Sequence, residues 1–188
     1  MIIKDKVIIG LSYSMYTGKT TAANYLVKNY GFVKVSFANK LKETVKDLYN
    51  LTDEQTKGKS KETPIVEMNN LTPRDIMQKF GESNRKIYCP VWINYVFQKT
   101  IPSLSPASAV VIDDCRYKNE ADKIKEYGGV VINILRDTGM PKGSHSSEID
   151  LDGYVFDYVI ENNGTKEDFY RKIDSILYTI LPVNYSKI

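Results

Sequence analysis

Gly18-Lys19-Thr20, reached through Tyr13-Ser14-Met15-Tyr16-Thr17, is one glycine short of the phosphate-binding pattern G-x-x-x-x-G-K-[ST]. In such a loop, backbone N–H groups and the positive end of the following helix gather phosphate oxygens. Lys19 would place a full charge at the β- and γ-phosphates, and the Thr20 hydroxyl would meet Mg²⁺. Tyr13 stands where the pattern has its first glycine, a substitution that costs ~1–2 kcal/mol where the backbone needs positive φ. The competing reading is an ordinary helix start with a solvated lysine. Placement directly after the apolar run Val7-Ile8-Ile9-Gly10-Leu11 and before an amphipathic stretch favours phosphate binding.

A second group of charged residues could serve the same chemistry. Asp113 and Asp114 close the apolar run Ala109-Val110-Val111-Ile112, where a carboxylate can hold the Mg²⁺ shell or a metal-bound water, or can simply cap a turn. Arg116 follows closely and offers a bidentate clamp for phosphate, or a structural partner for an acid. Arg74 opens a capped helix, where an anion is also favoured by the helix end. Trp92, the single tryptophan, suits either a hydrophobic core or stacking on a base. His145, the single histidine, lies in the polar run Gly143-Ser144-His145-Ser146-Ser147-Glu148. That placement suits a phosphate or substrate contact and, without Cys or His neighbours, not zinc.

The elements that must position these residues read as strands alternating with helices. Strands are expected at 7–11, 32–37, 109–114, 130–135 and 155–160. After the first strand, Ala23, Leu26, Val27 and Tyr30 share one helix face, with Gly31 as the stop. Leu41, Val45, Leu48 and Tyr49 mark a second helix, and the charged stretch from Leu51 to Glu62 reads as a mobile surface loop. Thr72-Pro73-Arg74-Asp75 announces a helix start, and Pro90 opens another. The stretch 121–127 is helical and is stopped by Gly128-Gly129. Thr165-Lys166-Glu167-Asp168 caps a last helix with Phe169, Ile173, Ile176, Leu177 and Ile180 inward. This alternation implies an α/β fold with a parallel sheet covered on both faces.

With 188 residues, 42% hydrophobic and 26% charged, the chain is long enough for one well-cored domain and too balanced for a disordered, collagenous or rod-like protein. Two cysteines, Cys89 and Cys115, cannot frame a disulfide-dependent fold, so reduced thiols in a cytoplasmic setting are expected. The early apolar stretch is far below the ~20 residues of a membrane span, and no signal-like pattern precedes it. Basic and acidic residues, 26 against 23, are interspersed. That argues against a nucleic-acid polymer as partner and leaves small anions as the natural ligands.

Together these stretches resemble the bacteriophage deoxynucleoside monophosphate kinases, relatives of the adenylate and guanylate kinase group of P-loop enzymes. The resemblance rests on 8–22, on Thr72-Pro73-Arg74-Asp75-Ile76-Met77-Gln78-Lys79-Phe80-Gly81, and on Val91-Trp92-Ile93-Asn94. It continues through 112–122, His145-Ser146-Ser147-Glu148, and Asp157-Tyr158-Val159-Ile160-Glu161-Asn162-Asn163-Gly164-Thr165. It implies a P-loop NTPase three-layer fold whose five-stranded parallel sheet has helices on both faces. The single kinase domain would have its core at 1–37, 103–135 and 154–188, an inserted set of NMP-binding helices at about 38–102, and a small lid at about 136–153. The implied reaction is Mg²⁺-dependent transfer of the ATP γ-phosphoryl to a deoxynucleoside monophosphate. Gly18, Lys19, Thr20 and Thr21 would then bind ATP phosphates, and Thr20 and Asp114 the metal. Arg74, Gln78, Trp92, Arg116 and His145 would contact the acceptor, while Lys19, Asp114, Arg116 and Arg136 would serve the transfer. A homodimer is also implied. Two alternatives remain open at this point: a different small-molecule kinase of the dephospho-coenzyme A kinase type, and a catalytically silent nucleotide-binding module. The family's loop usually carries glycine at 13, basic residues near 15 and 16, and aspartate at 20; here stand Tyr13, Met15, Tyr16 and Thr20.

Overall fold

A computed structural model describes residues 6–12, 17–137, 139, 146–181 and 187. In chain order its principal elements are β1 (Ile8–Ser12), α1 (Lys19–Tyr30), β2 (Val33–Val35), α2 (Ala38–Leu48), α3 (Asp53–Thr56), α4 (Pro73–Ile87) and α5 (Val91–Tyr95). A π-helical turn (Val96–Thr100) leads into α6 (Ile101–Ser103), followed by β3 (Val110–Cys115), α7 (Lys118–Glu126), β4 (Val130–Leu135), α8 (Ser146–Ile149), β5 (Tyr158–Glu161) and α9 (Lys166–Ile180). The chain divides into two compact units, one made of Met1–Ser36 with Lys99–Ile188, the other of Phe37–Gln98.

In the first unit five strands form one parallel sheet in the order β2-β3-β1-β4-β5. Strands rich in Val and Ile can be buried on both faces, and parallel neighbours need helical crossovers, so helices cover both sides. On one face Ile9, Leu11, Val111, Ile132, Ile134 and Ile160 pack with Ala22, Ala23, Leu26 and Tyr30 of α1 and Phe169, Ile173 and Leu177 of α9. Each Val, Leu, Ile or Phe side chain removed from water in this way contributes about 1.5–3 kcal/mol. The other face receives α7, whose Ile124 is wholly buried. Where α7 returns to β4, a side chain on Gly129 would lie 2.7 Å from the Ile8 carbonyl oxygen, so the strand enters the sheet only through glycine.

The second unit gathers Val45, Leu51 and Ile76 at its centre, ringed by half-buried Leu41, Ile65, Met68, Leu71, Met77 and Phe80. Thr72 and Asp75 cap α4 reciprocally: Asp75 Oδ2 accepts from the Thr72 N–H at 2.9 Å, and Thr72 Oγ1 accepts from the Asp75 N–H at 3.1 Å. Among the described residues no helix is long and apolar enough to cross a membrane.

Four expectations need correction. Val27 is 40% exposed, because the buried arc of α1 is turned toward Ala22 and Tyr25. Leu48 is 65% exposed, because Asn50 takes a positive φ of 51° and folds Leu51 into the cluster in its place. The segment from Leu51 to Glu62 is not a loop: Thr52 and Gln55 form a capping box for α3, and a 3₁₀ turn spans Lys59–Glu62. Finally, β5 begins at Tyr158 rather than at Val155. The Val155 carbonyl is taken by Lys125 at 2.9 Å, and the Asp157 carboxylate accepts the Val131 N–H at 2.8 Å, so ladder pairing starts one residue later.

Candidate active site

In a parallel sheet the carboxyl ends of the strands share one edge, and helix N-termini open there. β1 lies between β3 and β4, with Ser12 opposite both Cys115 and Asn133. The residues that follow β1, β3, β4 and β5 therefore converge on that edge.

Gly18 is the N-cap of α1, with φ 112° and ψ 9°, a conformation that costs an L side chain ~1–2 kcal/mol. Helices α3, α4 and α9 each begin with a threonine whose hydroxyl accepts a first-turn N–H. By contrast, α1 has no side-chain cap and no acid in its first turn. Its positive end is therefore neutralised by neither device and is suited to an external anion. Lys19 and Thr21 are half-buried and Thr20 is exposed on that first turn.

The approach to Gly18 is held from the far end of the sequence. Thr17 is buried, and its carbonyl accepts a 2.8 Å bond from Asn162 Nδ2 just beyond β5. The Phe169 ring lies 3.4 Å from where a Gly18 side chain would be. Residues 13–16, including Tyr13, Met15 and Tyr16, lie outside the described residues, as does His145.

At the end of β3, Asp114 Oδ2 accepts from Ser36 Oγ at 2.5 Å, while Asp113 lies 3.8 Å from Lys34 Nζ. Asp114 thus stays on the strand end, steadied by a hydroxyl. Glu120, a buried residue that sequence reasoning missed, accepts the N–H groups of both Arg116 and Tyr117, at 2.8 and 3.2 Å. It shapes the turn that carries Arg116. Its signal was a glutamate three residues after Tyr117, ahead of an amphipathic helix. Burial pushes the Cys115 thiol well up, and the carboxylates of Glu120, Asp114 and Asp122 push the same way against the Lys19 ammonium. Cys115 is a neutral thiol, unsuited to nucleophilic work.

Arg136 is exposed immediately after β4, and the next N–H, that of Asp137, donates to Asn163 Oδ1 at 2.9 Å. The structure thus brings the ends of β1, β3, β4 and β5, with Gly18, Lys19, Thr20, Asp114, Arg116 and Arg136, to one edge of the first unit. Thr20 and Asp114 are hard oxygen donors of the kind Mg²⁺ takes. Among the described residues no group of three or more His, Cys, Asp or Glu forms a cage of its own, so an ion there would complete its shell with phosphate oxygens and water.

In the second unit, Arg74 Nε donates to Glu62 Oε1, and Gln78 lies one helical turn further along the same face of α4. Trp92 is 7% exposed, its indole N–H donates to the Gly81 carbonyl at 3.4 Å, and its ring is tilted against Phe80 at 6.4 Å. A ring enclosed in this way packs as part of the core of this unit.

Comparison with known proteins places this arrangement among relatives. The sequence profile of the family described as deoxynucleotide monophosphate kinase matches residues 59–173. A protein of Acanthamoeba polyphaga mimivirus named "Putative deoxynucleotide monophosphate kinase" is 37% identical over 183 residues, covering 90% of this chain and 95% of the viral one. The uncharacterized protein ORF76 of Ictalurid herpesvirus 1 is 26% identical over 167 residues, 86% of this chain and 63% of the herpesvirus protein. Among solved structures, TT1252 from Thermus thermophilus superposes with a TM-score of 0.52 at 14% identity, over 94% of this chain and 99% of that one. This last likeness is one of fold alone.

Proposed function

Because the chain belongs to the deoxynucleotide monophosphate kinase family, we propose that it transfers the γ-phosphoryl group of ATP, with Mg²⁺, to a deoxynucleoside 5′-monophosphate, releasing ADP and the diphosphate. The observation that carries this reading is Gly18-Lys19-Thr20 at a helix N-terminus without a side-chain cap, beside the acids that end β3.

Phosphoryl transfer asks for little covalent chemistry. Two anions that repel each other must be aligned, the charge on the transferring group neutralised, and water kept out. Lys19 and the first-turn N–H groups of α1 hold the β- and γ-phosphates. Thr20 and Asp114 would hold Mg²⁺, which supplies charge neutralisation across those phosphates. Arg116, on the turn fixed by Glu120, and Arg136, at the entry to the segment 136–153 proposed as a lid, supply the remaining positive charge. Arg74 and Gln78 are the groups proposed for the acceptor, and in the structure described Glu62 occupies the Arg74 guanidinium. His145 keeps its proposed acceptor role by position in the sequence.

A panel of dAMP, dCMP, dGMP, dTMP and hydroxymethylated dCMP with MgATP, read by coupled ADP release, tests the reading. Slow hydrolysis of ATP alone and much faster turnover with at least one acceptor is the expected result. Equal rates with and without every deoxynucleotide, or transfer to dephospho-coenzyme A only, would overturn it. Light scattering tests the proposed homodimer.

A further inference from the structure

The pair Asn162-Asn163 at the end of β5 touches two separate parts of the edge described above, and the two asparagines use opposite ends of their amides. Asn162 is buried, 7% exposed. Its own N–H donates to the Leu135 carbonyl at 2.7 Å, which fixes its backbone to the last residue of β4. Its side-chain NH₂ then donates to the Thr17 carbonyl at 2.8 Å, one residue before the Gly18 cap. Asn163 is exposed, and its Oδ1 accepts the Asp137 N–H at 2.9 Å, one residue after Arg136. Asp137 in turn accepts the Gly139 N–H at 3.1 Å.

From this geometry we infer that Asn162 and Asn163 are a positioning pair for the proposed phosphoryl transfer: Asn162 sets the exit of the phosphate loop by donating to it, and Asn163 sets the segment carrying Arg136 by accepting from it. The inference rests on the kinase reading and adds two residues to it. Neither asparagine needs to touch a substrate. Each acts through the backbone next to a residue that would.

The physical argument runs through the direction of the two bonds. A carbonyl at Thr17 can be held only by a donor, and the space is tight: a side chain on Gly18 would come within 2.5 Å of Asn162 Nδ2. The amide thus packs directly against Gly18, whose carbonyl accepts the first bond of α1 from the Ala22 N–H at 2.9 Å. At Asp137 the backbone presents a donor, so the partner must accept. An Asn→Asp change keeps shape and the accepting oxygen but loses the donor and adds a charge. The same substitution at adjacent positions therefore has opposite consequences, which a general effect of added charge near a triphosphate cannot imitate.

MgATP binding is measured by calorimetry, and turnover with whichever deoxynucleoside monophosphate the wild type uses fastest. Asn162→Asp is expected to weaken MgATP binding by about tenfold, or ~1.4 kcal/mol, while the melting temperature shows the protein folded. Asn163→Leu is expected to lower kcat about fivefold with MgATP affinity changed by less than about twofold, and Asn163→Asp to restore kcat to within about twofold of wild type. If Asn162→Asp does not fold, Asn162→Ser keeps a shorter donor without the charge, and its MgATP affinity is expected to fall about threefold or more. Wild-type MgATP affinity in a folded position-162 variant overturns the inference, as does equal weakening by aspartate at 162 and at 163. Failure of the wild type itself to bind MgATP would instead overturn the kinase reading, and this inference with it.

Discussion

Gly18→Ala is the most direct test of the claim that the phosphate-binding turn is fixed by its surroundings. Two costs can be worked from the structure. The backbone at φ 112° charges an L residue ~1–2 kcal/mol. The new methyl would sit 2.5 Å from Asn162 Nδ2, so the amide must withdraw and the Thr17 carbonyl loses its buried donor, a further ~1–3 kcal/mol. The sum of roughly 2–5 kcal/mol corresponds to a fall in melting temperature of about 4–20 °C for a chain of this length. The two costs separate in a double-mutant cycle. Asn162→Ala pays for the lost bond alone, and the double variant pays for the strain and for that bond only once. The combined cost should therefore be smaller than the sum of the singles by about 1–3 kcal/mol. Melting of the four proteins with and without MgATP is sufficient. A Gly18→Ala protein that melts with wild type, or strict additivity in the cycle, would show that the turn is not clamped as described.

Lys19→Ala, at a half-buried position on the first turn of α1, should reduce turnover about 10²–10³-fold with melting unchanged, since one pre-positioned charge at a transition state is worth about that much; steady-state kinetics beside calorimetry checks it. Glu120→Ala strips the acceptor from two N–H groups and should cost about 2–4 kcal/mol in urea unfolding, with kcat falling more than the MgATP affinity because Arg116 sits on that turn. Trp92→Phe should leave the acceptor KM within about threefold of wild type, because the indole is enclosed and packs as core; a loss far beyond that would restore the stacking role. The carboxyls of Asp75 and Asp168 are held below their ordinary value, mainly by the hydroxyls and N–H groups of Thr72 and Thr165. A lowered folded pKa means stability that is complete above the ordinary carboxylate range and is lost as pH falls through the folded values. Denaturant unfolding should accordingly show wild type losing more stability than Asp75→Asn/Asp168→Asn between neutral pH and the acid side of that range.

Most of the scaffold was legible because local chemistry decided it. Apolar Val-Ile runs, the Thr-x-x-Asp caps at 72 and 165, and glycine after α1 are signals that act over three or four residues, and the strands, α4 and α9 follow them. What was illegible depended on distant partners. The face of α1 is settled by Tyr25, which packs across the unit, and the segment from Leu51 to Glu62 looked like solvent because its charges are exposed while Leu51 and Thr56 are buried. β5 starts late because Lys125 takes the Val155 carbonyl and the segment's own Asp157 side chain takes the Val131 N–H of β4. At the site, Gly18, Lys19 and Thr20 announce themselves by type and spacing. Glu120 offers only its spacing from Tyr117 as a helix-start signal, and Asn162 not even that, since a buried amide that holds backbone looks in sequence like any surface polar residue.

That asymmetry bears on why the phosphate motif, taken alone, is weak. Its first helix is bolted to the last by side chains about 145 residues apart: the hydroxyls of Tyr25 and Tyr30 both donate to Asp174 Oδ1 at 2.7 Å, and Tyr25 stacks on Tyr170 at 4.0 Å. Burial, and then the Asp174 carboxylate, raise the Tyr30 phenol well above its ordinary value, so it remains a donor throughout the accessible pH range. Together with the Asn162 bond, these contacts make the geometry of Gly18 and Lys19 depend on β5 and α9 being in place. A chain ending after β4 would keep the whole of the motif and lose what holds it. Such a fragment should bind MgATP no better than Lys19→Ala does, even if it retained helical circular dichroism. Wild-type affinity in the fragment would mean that the loop organises itself around the phosphates unaided, and the long-range clamps would then be stabilising features of the fold with no part in recognition.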